Sequence, residues 1–251
     1  MPALQPAQSK SQAWATNYWN QSRRPLASLA FVIPLLVFYE AGVLLLGSGA
    51  VRNGADVWLR TLLDRLGMSQ YFLLPMLTVG ILLAWHHVTG ERWRLSAGVL
   101  YAMAAECVLL SLLLLGLAHL QGDLLSSVGE MNSGTLQQIG SRRLGILNRI
   151  VGFCGAGIYE EVLFRLMLLP PLLGLLALMG VAVKWRILAG VVATSAIFAA
   201  AHHIGAHSEP FAWFPFAFRF MAGALFALLF VYRGFGIAAG THALYDIAAG
   251  L

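Results

Sequence analysis

The residues most able to carry chemistry form three short clusters in the second half of the chain, each inside an apolar stretch. They are Glu160, Glu161 and Arg165, then Phe198 and His202, then His242 and Asp246. An ionisable side chain at membrane depth costs about 2.5 kcal/mol or more on insertion scales, so charged groups in such segments are candidates for function. Carboxylates and imidazoles are also the side chains used most often in acid–base catalysis.

The first cluster separates its two glutamates by direction. On a helix, Glu161 and Arg165 lie one turn apart and can neutralise each other. Glu160 points about 100° away, which leaves it without a partner on its own helix and free for other work. On a soluble helix this spacing is a routine surface pair, but the flanks 146–153 and 166–169 are too apolar for a solvated face. Glycines in the preceding turns predict the close approach of another helix or of a substrate backbone.

The other two clusters place histidines on two further segments. His202 follows Phe198 by one helical turn, beyond a run of alanines that permits tight packing. His242 and Asp246 share a helix face, so the carboxylate can accept from one ring nitrogen, fix the tautomer and present the other nitrogen outward. A purely structural His–Asp pair in a helix bundle is the alternative for this third cluster.

Metal binding is the main alternative to acid–base chemistry for these residues. Two histidines and a carboxylate can hold zinc. The sequence contains no HExxH pattern, however, and each histidine comes from a different segment. The pattern favours an acid–base site without a metal or other cofactor.

The composition excludes a water-soluble globule. Of the 251 residues, 59% are hydrophobic and only 11% charged, with a mean hydropathy of +0.75. Such a chain cannot cover its own surface with polar groups. The same apolar composition excludes disorder and a coiled coil. A disulfide scaffold is excluded because the chain has only two cysteines, Cys107 and Cys154, both in apolar runs. The net charge of +5 comes from bases that lie mostly between apolar runs, which indicates contact with lipid headgroups rather than nucleic acid.

The apolar stretches predict an all-α, polytopic transmembrane bundle of about eight helices. A bilayer core of about 30 Å needs about 20 helical residues. Eight stretches approach that length: roughly 26–47, 71–88, 95–120, 144–169, 171–183, 186–204, 213–232 and 235–250. Pro170-Pro171 should end or sharply kink the fourth. Residues 1–24 form a polar tail, residues 25–251 one transmembrane domain, and the connection 48–70 has a helical pattern of its own, expected at the interface.

The three clusters, taken in order, resemble the motifs of the CPBP family of intramembrane proteases. That family includes the type II CAAX prenyl endopeptidases and the bacterial Abi-like proteins, and the resemblance covers about residues 145–250. It implies a helical bundle and a glutamate-dependent peptidase without a catalytic metal. By position it makes Glu160 the general base on water, with His202 orienting that water.

The same resemblance assigns the remaining residues of the clusters. Glu161 and Arg165 would be structural, with Phe198 beside them, while His242 and residue 246 would stabilise the oxyanion. Many members have Asn where this chain has Asp246. An ionised Asp cannot donate to an oxyanion, so Asp246 is either protonated or serves to orient His242.

The leading interpretation is therefore a multi-pass intramembrane endopeptidase, in the inner membrane of a bacterium, that cuts a membrane-anchored protein or peptide. The rivals are a proton-coupled transporter and a catalytically silent member acting as a membrane scaffold or immunity protein. Three further charges, Glu40, Glu106 and Arg219, also lie in apolar segments. One hypothesis pairs Glu106 with Arg219.

Overall fold

The computed structural model describes residues 17–50, 52–127, 145–205 and 210–251, and the regular secondary structure in these ranges is helical. Residues 1–16 of the expected tail, and residues 128–144 between the third and fourth stretches, lie outside the described residues. In the described part of the tail, residues 17–24, residues 17–22 are helical. The α-helices in chain order are α1 (Pro25–Leu46), α2 (Gly54–Arg65), α3 (Leu73–Val88), α4 (Ala97–Ser127), α5 (Ile146–Glu161), α6 (Leu169–Leu178), α7 (Val183–Ala201), α8 (Trp213–Arg233) and α9 (Phe235–Gly250).

Five helical stretches in the described ranges are long and apolar enough to cross a membrane. They are Pro25–Gly49, Ala97–Asp123, Ile146–Leu178, Val183–Ala201 and Trp213–Arg233. Helices α3 and α9 are shorter, with 16 residues each. The protein is thus an integral membrane protein with an all-α, polytopic bundle, as its composition predicts.

The predicted fourth and fifth segments are one continuous helical stretch, so of the two expected effects of Pro170-Pro171, a helix end or a sharp kink, the helix end is wrong. A π-helical segment, Val162–Leu168, joins α5 to α6, and helical structure continues to Leu178. The two prolines fall in the first turn of α6, directly after this change of register. The two residues that lack a backbone N–H thus lie where the helix changes from π to α geometry.

Helix α9 lies at the centre of the bundle, although it is short. It packs against α1, α4, α5 and α8, and every residue from Phe235 to Ala243 is buried. Small residues make this possible because they let helix backbones approach closely. At Gly157 of α5, an added Cβ would lie only 2.6 Å from the backbone nitrogen of Ala243. This contact fixes α5 against the middle of α9.

Helix α2 forms where the sequence predicts a helix, and buried charges attach it to the bundle together with the buried apolar residues Ala55 and Leu59. Asp56 is fully buried and accepts hydrogen bonds from Tyr39 Oη of α1 at 2.9 Å, Arg52 Nη1 at 2.8 Å and Arg60 Nε at 2.6 Å. Arg60 also reaches Glu40 Oε1 of α1 at 2.9 Å. Several apolar residues of the predicted pattern are exposed instead: Val57, Leu62 and Leu66.

The hypothesis of a Glu106–Arg219 pair is wrong. Arg233, at the end of α8, donates to both oxygens of Glu106 at 2.6 Å each, and Tyr18 donates to the same carboxylate. The Arg233 guanidinium lies 3.9 Å from the ring centroid of Trp19. Arg219 interacts electrostatically with His202 and Asp246 instead. The helical packing places a different arginine at Glu106, one that sequence spacing does not single out.

Candidate active site

The structure brings the three clusters together around the aromatic ring of Phe198. Glu160 and Glu161 end α5, Arg165 lies in the π-helical segment, His202 directly follows α7, and His242 and Asp246 belong to α9. The ring of Phe198 contacts those of His202 and His242, with centroid distances of 5.0 and 6.0 Å. Residues up to 86 positions apart in sequence, such as Glu160 and Asp246, therefore line one region of the bundle.

Glu161 is the carboxylate that links α5 to α9. Its Oε1 accepts a hydrogen bond from His242 Nδ1 at 2.8 Å and lies 3.2 Å from Arg165 Nη1. Glu161 and Arg165 are both fully buried. The ion pair follows the spacing read from the sequence, whereas the histidine contact joins residues 81 positions apart. Glu161 thus neutralises Arg165 and holds the imidazole at the same time.

Arg165 is enclosed by aromatic rings. Its guanidinium carbon lies 4.5 Å from the centroid of Phe198, 5.6 Å from Phe226 and 5.8 Å from Phe164. Its Nη2 donates to the carbonyl of Gly223 on α8 at 3.0 Å. Cation–π contacts and the Glu161 charge offset the cost of removing this cation from water. Arg165 therefore fastens α5 and the π-helical segment to α7 and α8.

His242 presents its second nitrogen to two more carboxylates. The imidazole stacks on Phe226 at a centroid distance of 4.3 Å and an interplanar angle of 14°. Its Nε2 lies 3.7 Å from Glu160 Oε2 and 3.5 Å from Asp246 Oδ2. The expectation that Asp246 fixes the tautomer needs correction, because Glu161 makes the shorter, direct bond to Nδ1. Asp246 instead flanks the nitrogen that faces Glu160.

His202 has one ring nitrogen committed to the backbone. Nδ1 donates to the carbonyl oxygen of Phe198, at 2.9 Å. Burial lowers the pKa of the His202 imidazole below its usual value of 6.5, so the ring is neutral near pH 7. In the neutral tautomer with hydrogen on Nδ1, Nε2 is a hydrogen-bond acceptor. His202 can therefore accept a hydrogen bond from a water molecule.

Glu160 is held by one oxygen only. Its Oε1 accepts a hydrogen bond from Asn53 Nδ2 at 2.7 Å, while the buried Oε2 accepts none from any described residue. Sequence reasoning missed Asn53, which lies 107 positions away and immediately precedes α2. Its position before a helical pattern indicates an N-cap, but nothing in the sequence connects it with Glu160. The free oxygen of Glu160 faces the imidazole of His242.

No group of three or more His, Cys, Asp or Glu side chains with the geometry of a metal site occurs in the described ranges. Cys107 and Cys154 are buried free thiols. The site therefore combines three groups. They are the carboxylate of Glu160 with one oxygen that accepts no hydrogen bond from a described residue, the imidazole of His242 held by Glu161, and the neutral imidazole of His202. These are the parts of a general acid–base site.

The all-α bundle and its long apolar helices define the class of this protein as a polytopic integral membrane protein. Residues 142–248 match the family described as "Type II CAAX prenyl endopeptidase Rce1-like". The match supports assignment of the chain to the CPBP/CAAX protease family, which confirms the resemblance seen in the three motifs. At the level of the family it supports an intramembrane CAAX-type endopeptidase that acts on a membrane-associated peptide. No curated protein and no solved structure matches the chain significantly.

Proposed function

We propose that this protein is an intramembrane glutamic endopeptidase in which Glu160 activates water. The observation that carries the proposal is the state of the Glu160 carboxylate: one oxygen is bound by Asn53, and the other is buried, without a hydrogen bond from a described residue, 3.7 Å from His242 Nε2. A carboxylate with one oxygen fixed and one available is suited to take a proton from a water molecule.

The first step places a water molecule between Glu160 and His202. One hydrogen of the water bonds to Glu160 Oε2 and the other to His202 Nε2, and its oxygen attacks the carbonyl carbon of the scissile peptide bond. The proton moves to Glu160 as the new carbon–oxygen bond forms, and the carbonyl oxygen becomes an oxyanion. The tetrahedral intermediate then breaks its carbon–nitrogen bond, and the departing amine takes the proton back from Glu160.

His242 is the proposed donor to the oxyanion. Its Nδ1 donates to Glu161, so donation from Nε2 as well requires the imidazolium form. The carboxylates of Glu160 and Glu161 face the ring, and their charges favour that form. A preorganised donor at an oxyanion is worth about 3 kcal/mol. In this scheme Asp246 supports or shares the donor position, and Phe198 separates the two histidines.

The substrate is a membrane-anchored protein or peptide: a prenylated C-terminus, a lipid-anchored peptide or the transmembrane tail of another protein. The proposed location is the inner membrane of a bacterium. We also propose that residues 25–251 act as one transmembrane domain, which is supported by the packing of α9 against α1 and α4 as well as α5 and α8.

The deciding experiment incubates detergent-purified protein with a panel of membrane peptides. We expect specific cleavage by the wild type that persists under extensive chelation, because no step needs a metal. Glu160→Gln should fold, insert and lose this cleavage, since the amide is isosteric but cannot take a proton from water. Glu91→Gln is the matched control, because the side chain of Glu91 is 42% exposed and pairs with Arg24 at the surface.

Other outcomes would overturn the proposal. Cleavage by Glu160→Gln at the wild-type rate removes Glu160 from the base role. Solute-driven proton flux in liposomes, without cleavage of any peptide, selects the transporter. Stoichiometric zinc whose removal abolishes cleavage and whose return restores it selects a metal site.

A further inference from the structure

We infer that Asn53 is a positioning residue for Glu160, and the inference rests on the function proposed above. Asn53 Nδ2 lies 2.7 Å from Glu160 Oε1. It is the residue outside the three clusters that donates a hydrogen bond to this carboxylate within the described ranges. By holding one oxygen, Asn53 fixes the rotation of the carboxylate and directs the other oxygen toward His242 and the site of the water.

The orientation of the Asn53 amide follows from its second contact. Its Oδ1 accepts a hydrogen bond from the backbone N–H of Ala55 at 2.8 Å, which makes Asn53 the N-cap of α2. Because the oxygen is used by the helix, the nitrogen must face Glu160. An amide can satisfy both partners, whereas a carboxylate or a short hydroxyl cannot.

Asn53 is itself held in place by the first turn of α2. Asp56, three residues later, is fastened to Tyr39 of α1, and Arg60 continues the network to Glu40 of α1. Tyr159, the neighbour of Glu160 on α5, donates to the same Glu40. The buried charges of α1 and α2, which the proposed reaction does not use, thus place Asn53 beside the end of α5.

The other charged groups around Glu160 act on it through long-range electrostatic interactions and not through a hydrogen bond to Oε1. They are His242 and Asp246 from α9, His202 from the end of α7, and Glu161 and Arg165 from its own helical stretch. Removing the Asn53 donor leaves these interactions in place and takes away one hydrogen bond that favours the charged carboxylate. The change therefore acts on the orientation and protonation of Glu160.

Two substitutions separate this role from capping, because Ser and Asp both replace Asn well at an N-cap. Asn53→Ser is too short to cap α2 and reach Glu160 together. We expect kcat to fall about tenfold, as for the loss of one hydrogen bond to a charged group, with KM unchanged and the acid limb of the pH–rate profile moved to higher pH. Asn53→Asp should shift the acid limb further, since it puts a second negative charge beside Glu160.

The matched control is Asn148→Ser on α5, the helix that carries Glu160. Asn148 Nδ2 donates to the carbonyl of Gly49 at 2.6 Å, at the opposite end of α5 from Glu160. This substitution removes an amide hydrogen bond of similar length, so it should lower the unfolding temperature without moving the acid limb. A merely structural role for Asn53 would give the same result as this control.

An infrared titration keeps the inference testable apart from catalysis. The carboxyl band that disappears in Glu160→Gln reports protonation of Glu160, and in Asn53→Ser this band should appear at higher pH than in the wild type. If no peptide is cleaved by the wild type, the proposed function fails and the band still tests Asn53. If the wild type cleaves and Asn53→Ser matches it in kcat, acid limb and band titration, the inference is overturned.

Discussion

Glu161 and His242 are joined across α5 and α9 by a hydrogen bond of 2.8 Å, and the same Glu161 oxygen lies 3.2 Å from Arg165. One carboxylate oxygen therefore serves a cation from the π-helical segment and an imidazole from the last helix. The neighbouring Glu160 makes no ion pair with Arg165 in the described contacts, and its Oε2 lies 3.7 Å from His242 Nε2. In the proposed mechanism this division separates a structural carboxylate, Glu161, from the carboxylate that activates water, Glu160.

Glu161→Gln should lower the free energy of unfolding by about 3 kcal/mol or more, because it leaves the buried Arg165 charge without its counter-ion. Unfolding in detergent by heat or denaturant measures the change. Glu91→Gln breaks an exposed ion pair and should change stability by less than about 1 kcal/mol. A Glu161→Gln protein as stable as the wild type but inactive would show that the two glutamates have exchanged roles.

Gly157→Ala should destabilise the bundle and displace His242. The new methyl carbon would lie 2.6 Å from the Ala243 backbone, which cannot rotate away as a side chain can. Overpacking of this kind costs about 1–3 kcal/mol. Gly174→Ala in α6 is the control, because its added Cβ has no atom within 4 Å and should be neutral or slightly stabilising. Equal unfolding temperatures for the two variants would contradict the close packing of α5 and α9.

Asp246→Asn should retain peptide hydrolysis and remove an alkaline limb from the pH–rate profile. The side chain lies 3.5 Å from His242 Nε2, beside the position assigned to the oxyanion. A carboxyl group donates a hydrogen bond only when protonated, whereas an amide donates at every pH. Paired pH–rate profiles of the two proteins provide the measurement. A fully active Asn variant with an unchanged alkaline limb would show that Asp246 is not the donor.

Acid should destabilise the wild type partly through His202. Burial lowers the pKa of this imidazole in the folded protein, so below the unfolded value of 6.5 the unfolded chain binds more protons. The contribution to stability is complete above that value and is lost as the pH falls toward the folded pKa. Unfolding temperatures near neutrality and at about pH 5.5 should therefore differ less in His202→Gln than in the wild type. His87→Gln, an exposed histidine of α3, should behave as the wild type does.

The sequence predicts most helices because length and apolar composition determine them locally. Helix α8 begins and ends within one residue of its expected range, and the three motif clusters meet in the structure. The sequence does not predict the hydrogen-bond partners of Glu160, Glu106 and His242. Asn53, Arg233 and Glu161 lie 107, 127 and 81 positions away, and only the packing of the helices decides which side chains meet. The sequence does not predict the π-helical segment either, because the search for a 3.6-residue period assumes an uninterrupted α-helix.

The π-helical segment also determines where this chain can gain or lose a residue. Such a segment has about one residue more than an α-helix needs to cover the same rise. Deleting one residue within Val162–Leu168 could restore α-helical geometry without shortening the membrane crossing. The deletion need not rotate α6 relative to α5, because the wider turn of the π-helical segment takes up the extra residue in rotation as well as in rise. Val162–Leu168 is thus a place in this membrane crossing where the chain can lose one residue with little change in the length of the crossing or in the direction of the side chains on α6.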